Sequence, residues 1–557
     1  MRKTSRYGLL DMLMAQGVPY IFGNPGTTEL PFMDGIQDYP QLKYILALQE
    51  TTAMAMADGY ARATGKPSFV NLHVTAGIAN GLSMLYDAFR GGTPMVVTAG
   101  QSDTRMQLNE PILWSDMVTL CRQYTKWSAE VRHGRDVPLT LKRAFRTAAT
   151  PPTGPVFLSL PMNVLDETDD LDLTPPSPVY SRLHPDPEAV EKAAELLAGS
   201  KNPLMLVGDR LAQAGAVAEA VQVAETLGAA VMALSFSEVN FPMGHSQFGG
   251  MFDPDSSRAQ TLLGKYDAIL AVGCPLFQQF VYSPLVFTGK ERIVHLDVSA
   301  WEIEKNIPVK VGVWGDIWIG LQVLERSLRQ FMKEAGLEAA KRRAAKMGAL
   351  RSKTQASYVE KVRQNWDQRP MDPRRLFLEM KEVLPKEAII ASEAITSTGP
   401  LFRAMDFSEP GSYFSIRGGA LGWGIGGALG IKLARPDRPV VAVIGDGSAM
   451  YSIQGLWTAA NYNLPVTYVV CNNRSYRILK YYMNSYYLPS QGLSERKSTY
   501  PGMDFLDHPL DCAAVARGFG IRGFKVEDPD DLKPVLQKAL HLGKPALVDV
   551  DIQPGRF

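Results

Sequence analysis

A chain of 557 residues is too long for one hydrophobic core and, at ordinary domain size, implies about three. Its 58 Lys and Arg are matched by 57 Asp and Glu, so a net charge of +1 leaves no basic excess for nucleic acid. The 4 cysteines, Cys121, Cys274, Cys471 and Cys512, stand far apart with no paired metal spacing, which points to a reducing cytoplasm rather than a disulfide-stapled secreted fold.

In chain order, the first residues read as an amphipathic helix carrying Leu9, Leu10, Leu13 and Met14, with Asp11 inside it and no signal-peptide apolar block. Strand-like runs at 21–23, 69–73, 95–99 and 156–160 then alternate with helical stretches. Residues 44–50 read as a buried strand ending in Glu50, followed by a helix over 52–64. Proline-rich passages at 174–178 and 184–187 mark a linker. A second block opens with a helix at 188–199, continues through strands at 204–208, 268–273 and 293–298, and ends in a charged helical tract over 335–369. The third block, from about Pro373, carries apolar β-rich runs at 439–445 and 465–471 around a helix at 448–461, and ends in a strand at 546–552. Residues 418–431 are too few and too rich in glycine to span a membrane, which takes roughly 20 apolar residues. The expected fold class is α/β: three doubly wound parallel-sheet domains over 1–175, 186–340 and 370–557.

Chemistry concentrates in the third block. Gly445-Asp446-Gly447-Ser448 and Asn472-Asn473 close two strands of one βαβ unit, which places Asp446 beside Asn473 at the carboxyl edge of a parallel sheet. The glycines let backbone approach an anion, and a following helix start favours phosphate oxygens. A carboxylate, an amide oxygen and the main-chain carbonyl of Ser475 form the partial oxygen shell that Mg²⁺ accepts when a diphosphate supplies the rest.

With that motif the sequence resembles the thiamine-diphosphate enzymes of the acetohydroxyacid synthase, pyruvate decarboxylase and benzoylformate decarboxylase superfamily. The likeness covers the whole chain, and its three blocks match the pyrimidine-binding, middle and diphosphate-binding domains. It implies thiamine diphosphate and Mg²⁺ as cofactors, with Asp446, Asn473 and Ser475 on the metal. Gly445, Gly447, Ser448, Tyr476 and Ile478 would join the cofactor site, with Gly419 offering a carbonyl to the 4′-amino group and Leu421 propping the bent cofactor. Glu50 matches the glutamate that activates the cofactor through its pyrimidine ring. Small residues in the Gly418–Gly427 stretch also suit close backbone packing. The family's site lies between subunits, which implies a homodimer at minimum and a homotetramer as the expected assembly.

Within the superfamily the pattern Phe22-Gly-Asn-Pro-Gly-Thr-Thr-Glu-Leu-Pro-Phe32, Leu46-Ala-Leu-Gln-Glu50 and Asn71-Leu-His73 resembles benzoylformate decarboxylase most. His73 then matches a proton shuttle, and Thr27 the residue that orients the substrate carboxylate. A second histidine of that enzyme falls on Phe280 here, unless Gln278, Gln279 or water substitutes for it. Phe280, Ile478 and Tyr482, with Thr27 and His73, would line the substrate pocket, with Tyr476 and Tyr481 nearby, favouring an apolar or aromatic 2-keto acid. The expected reaction is non-oxidative decarboxylation with carboligase ability towards an aldehyde. Alternatives are an acyloin-forming or acyloin-cleaving enzyme of the acetolactate synthase or benzaldehyde lyase type, and a regulatory homologue without turnover. No nucleic-acid or membrane partner is expected.

Overall fold

The protein is described by a computed structural model over residues 1–256, 258–276, 280–282, 286–287, 291–493 and 500–553. Gln278 and Gln279 lie outside these residues. Three parallel six-stranded sheets follow one another along the chain, each covered by helices, so the expected α/β class holds. Strands buried on both faces read as continuous apolar runs, and Val440–Gly445 (Val-Val-Ala-Val-Ile-Gly) and Val466–Asn472 do so here.

The first sheet runs Lys43–Leu46, Tyr20–Asn24, Ser68–Leu72, Met95–Gln101, Pro155–Pro161 and Trp127–Glu130. The third runs Tyr413–Ser415, Ile389–Glu393, Val440–Gly445, Val466–Asn472, Ala546–Asp551 and Arg522–Val526. Numbered along the chain within each block, both have the order 2-1-3-4-6-5. Chain direction therefore switches between the first and third strands of each, and ligands of open parallel sheets bind in the crevice at that point. The middle sheet (Phe248–Met251, Ala230–Ala233, Pro203–Val207, Ala268–Val272, Arg292–Asp297, Val311–Trp314) is ordered 3-2-1-4-5-6. The charged tract forms one helix, Glu334–Arg363, with only three buried side chains.

Two elements depart from the sequence expectation. The strand before Glu50 stops at Leu46, and Glu50 instead starts the helix Glu50–Thr64, because Gln49 caps it by accepting the Thr52 N–H. The helix expected over 448–461 is split into Asp446–Ala449 and Gly455–Asn461. Serines and Gly455 are weak helix formers. The turn between the two pieces is pressed against Gly422, where an added Cβ would stand 3.2 Å from Tyr451 Cβ.

The helices Glu50–Thr64 and Trp423–Ala434 cross at backbone contact and join the first block to the third. A Cβ on Gly59 would overlap the Gly427 carbonyl, and one on Gly430 the Met56 carbonyl, so this crossing requires bare backbone. Trp423 Nε1 donates to Asp58 at 2.7 Å across the same contact. Buried Arg62 ties in the middle block: it donates to Glu238 at 2.9 Å, to the Ser237 carbonyl at 2.7 Å and to the Ser415 carbonyl at 2.8 Å. All four cysteines are buried and free. No described helix is long and apolar enough to cross a membrane.

Candidate active site

Polar side chains gather at the carboxyl edges of the first and third sheets. At the third, Val440–Gly445 and Val466–Asn472 pair with Gly445 opposite Cys471, which brings Asp446 and Asn473 alongside each other just past the strand ends. Both side chains are buried. Asp446 Oδ2 and Asn473 Oδ1 have no hydrogen-bond partner among the described residues. Leaving one such oxygen buried and unsatisfied costs about 1–3 kcal/mol, so two adjacent ones mark a place where a ligand completes the bonding. Burial pushes the Asp446 carboxyl up to about 6 against the N–H groups of Gly447 and Arg474. Asn472, by contrast, turns away and donates to Asp549 at 3.0 Å and to the Leu510 carbonyl at 3.0 Å.

The backbone around these oxygens is set by strain and by close contact. Arg474 has φ +56° and is anchored to Asp551 at 2.6 Å, which turns the chain so that Asn473 and Ser475 flank it. Ser475 Oγ donates to the Met503 carbonyl at 3.0 Å. Tyr476 packs edge-on to Phe505, and a Cβ on Gly447 would sit 2.5 Å from its ring. Gly445 and Ser448 complete the turn. A hard cation fits this set of one carboxylate, one amide oxygen and nearby main-chain oxygen, provided a ligand supplies further oxygens. Among the described residues no cluster of three His, Cys, Asp or Glu side chains offers an alternative metal site.

Glu393 was not singled out from sequence, and its only local signal is its place at the end of an apolar strand. It is fully buried, and its carboxyl accepts the N–H of Gly422 at 2.7 Å and that of Gly424. Desolvation lifts it to about 8. It thereby fixes the glycine turn that carries Gly419, whose φ is +90°, and Leu421, which is half-buried. Beside it a cavity of about 270 Å³, lined in part by Asp209, Thr398, Tyr413 and Arg417, opens between the edges of the third and middle sheets.

The first sheet's edge holds a different set. Glu50 accepts from Asn24 Nδ2 and Asn80 Nδ2, each at 3.0 Å, one on each carboxyl oxygen. His73, just past Ser68–Leu72, places Nδ1 2.8 Å from Glu29 Oε2. Thr28 Oγ1 is 3.2 Å from the same nitrogen. The ring rests on Gly26, where a Cβ would overlap it. Thr75, with φ +26°, starts the helix behind it, and its hydroxyl meets Ser115 Oγ at 2.7 Å. Thr27 is exposed at this edge, whereas its neighbour Thr28 is the threonine turned onto the histidine. Asn24 and Glu29 lie within the quoted Phe22–Phe32 run but were not singled out, and Asn80 had no local signal.

Phe280 from the middle block and Tyr482 from the helix Arg477–Tyr482 bring their ring centroids within 5.2 Å. Phe280 is 79% exposed, and Ile478 lies half-buried in the first turn of the same helix. Tyr481 stacks edge-on to Tyr482 at 5.5 Å. That helix passes directly into a π-helical turn, Met483–Tyr487, a distortion found often at functional sites. The hydrogen bonds of Glu50 stay within the first block and those of Asp446 within the third.

The chain matches three thiamine pyrophosphate enzyme families: the N-terminal TPP binding domain over residues 4–123, the central domain over 190–324 and the C-terminal TPP binding domain over 396–550. It is 32% identical to a benzoylformate decarboxylase of Pseudomonas aeruginosa, covering 99% of both chains. It is 26% identical to a probable acetolactate synthase large subunit of Methanocaldococcus jannaschii, covering 98% of this chain and 91% of the other. The crystal structure of benzoylformate decarboxylase from Polynucleobacter necessarius superposes with a TM-score of 0.86 at 28% identity, covering 100% of this chain and 99% of that one.

Proposed function

Since the chain belongs to the thiamine pyrophosphate enzyme family, we propose that it is a thiamine-diphosphate- and Mg²⁺-dependent, non-oxidative decarboxylase of an apolar 2-keto acid, able also to join the product to an aldehyde. The observation that carries this reading is the adjacent pair of buried oxygens, Asp446 Oδ2 and Asn473 Oδ1, that lack partners among the described residues. In it those oxygens and the Ser475 carbonyl hold Mg²⁺, while the bare backbone of Gly445 and Gly447, with Ser448, leaves room for the diphosphate. The Gly419 carbonyl takes the cofactor's amino group and Leu421 supports its bend, on a turn anchored by Glu393. The cofactor, when bound, accepts the electron pair released with carbon dioxide.

Glu50, held on both oxygens by asparagine amides, exchanges a proton with the cofactor's pyrimidine ring. The resemblance places such a site between two copies of the chain, hence a homodimer or homotetramer. His73 supplies the proton that frees the product. Thr27, exposed beside it, takes the substrate carboxylate. Phe280 and Tyr482 form an aromatic wall that favours an apolar or aromatic acid. The domains are assigned to 1–175, 186–340 and 370–557. A second reading, carboligase or lyase chemistry of the acetolactate synthase type, is favoured by Phe280, which offers no proton where a decarboxylase places its second imidazole.

The test is carbon dioxide release and product analysis on the Mg²⁺- and thiamine-diphosphate-loaded protein with aromatic, branched and short 2-keto acids, with and without added aldehyde. Aldehyde from an aromatic acid, lost on chelation, is the expected result. Acyloin as the main product would favour the second reading, and no turnover of any acid would overturn both.

A further inference from the structure

We propose that Glu29 is the positioning residue for His73, fixing the imidazole so that Nδ1 carries its proton and Nε2 faces the reacting groups. The inference rests on His73 as the proton donor of the proposed reaction. Glu29 has no exposed side-chain surface, and both of its oxygens are already engaged. Oε1 accepts the Gly100 N–H at 2.7 Å and the Thr28 hydroxyl at 2.8 Å. Oε2 accepts the Gly26 N–H at 2.7 Å and stands 2.8 Å from His73 Nδ1.

A carboxyl that receives two main-chain N–H groups and a hydroxyl acts as an acceptor throughout, so the fourth contact requires the histidine to donate. The Thr28 hydroxyl spends its proton on Glu29 and turns a lone pair to the same Nδ1 at 3.2 Å. The ring is therefore the Nδ1–H tautomer. Its Nε2 makes no hydrogen bond within the described residues, which leaves a lone pair that takes up a proton and delivers it.

Three glycines make the arrangement rigid. A Cβ on Gly100 would overlap Glu29 Oε1, and one on Gly26 would overlap the imidazole. A Cβ on Gly77 would stand 3.1 Å from His73 Cβ. These residues come from four segments at the carboxyl edge of the first sheet: the turn after Tyr20–Asn24, the end of Ser68–Leu72, the start of Ala76–Gly91 and the end of Met95–Gln101. A buried carboxylate behind the ring nitrogen is the arrangement that holds a histidine acting as acid and base in one tautomer and orientation.

The test is nitrogen-15 NMR of imidazole-labelled holoenzyme, with the His73 signals identified by their loss in His73→Ala. Wild type is expected to show the Nδ1–H tautomer. An Nε2–H tautomer there would overturn the proposal without need of any variant. Glu29→Gln, which leaves an N–H or the imidazole facing an amide NH₂, is expected to move the ring to the other tautomer or to a mixture. An unchanged tautomer together with wild-type turnover would overturn the positioning role. Turnover of benzoylformate provides the second readout. Glu29→Gln should lose activity on the order of 10²-fold, and Glu29→Gln with His73→Ala should be no worse than His73→Ala alone, within about 2-fold. A full further loss in the double variant would mean that Glu29 acts through the fold rather than through His73. If His73→Ala keeps wild-type turnover while the tautomer responds as expected, the proton-donor reading fails and the positioning geometry stands.

Discussion

The first and third sheets share the strand order 2-1-3-4-6-5, yet the candidate site groups at their carboxyl edges differ in how far they are satisfied. At the first edge, Glu29, Glu50 and His73 are all bonded to neighbours, by asparagine amides, main-chain N–H groups and one hydroxyl. At the third, a carboxylate oxygen and an amide oxygen are buried without a partner among the described residues. Identical topology delivers residues to equivalent places, and the local donor count decides what each place can do. A satisfied cluster pre-sets proton transfer at defined atoms. Under the proposed function, the two oxygens without partners among the described residues are the ones that take the cation.

The largest expected effect breaks the third edge. Asp446→Ala should weaken thiamine diphosphate binding in the presence of Mg²⁺ at least ~100-fold by calorimetry, since direct ligands matter more than the outer partners whose loss costs about 10–100-fold. The same variant should make the cofactor-free protein more stable by about 1–3 kcal/mol in denaturant unfolding, because a buried orphan oxygen is gone. Unchanged affinity would remove Asp446 from the metal.

An effect of the opposite kind is expected at the first edge. Gly26→Ala puts a methyl group into the His73 ring, so turnover should fall on the order of 10²-fold while cofactor affinity stays within about 2-fold. If calorimetry showed both edges failing together, the division of labour between the two sheets would be wrong.

The smallest effect concerns the seam between them. Asp87, on the helix Ala76–Gly91 of the first block, accepts the Ala420 N–H of the third at 3.1 Å, while its Oδ2 lacks a partner among the described residues. Burial pushes its carboxyl up to about 7. Because this value is raised above the ordinary 3.8, the group's contribution to stability is full below about pH 4 and is lost as pH rises through 7. The stability of wild type relative to Asp87→Asn should therefore increase by about 2 kcal/mol as pH falls from roughly 7.5 to 5.5. Paired urea titrations at the two pH values measure it, and a flat difference would take Asp87 out of the pH response.

Much of this was legible in the chain. Apolar runs closing in Gly445-Asp446-Gly447 and Asn472-Asn473 determined a βαβ unit with two polar side chains, Asp446 and Asn473, at one edge, because strand period and crossover handedness follow from local sequence. The glycine-rich stretch signalled close packing, and the helix crossing at Gly59 and Gly430 realises it. Near Glu50 the sequence misled by a few residues, since the apolar pattern does not reveal that Gln49 caps a helix there. The break between Asp446–Ala449 and Gly455–Asn461 was also missed, because the apolar spacing of Ile453, Leu456, Trp457 and Ala460 suits one continuous helix.

What only the tertiary structure decided is the state of each polar group. Glu29 and His73 are 44 positions apart, Glu50 and Asn80 are 30, and Glu393 and Gly422 are 29. Whether such a carboxyl is bonded or left bare depends on donors delivered by other strands, and periodicity along one segment carries no record of them. The sequence by itself thus determined which residues reach the sheet edges, since strand and helix register is local. Folding determined which of them find hydrogen-bond partners among the described residues, since bonding across a sheet edge is not local.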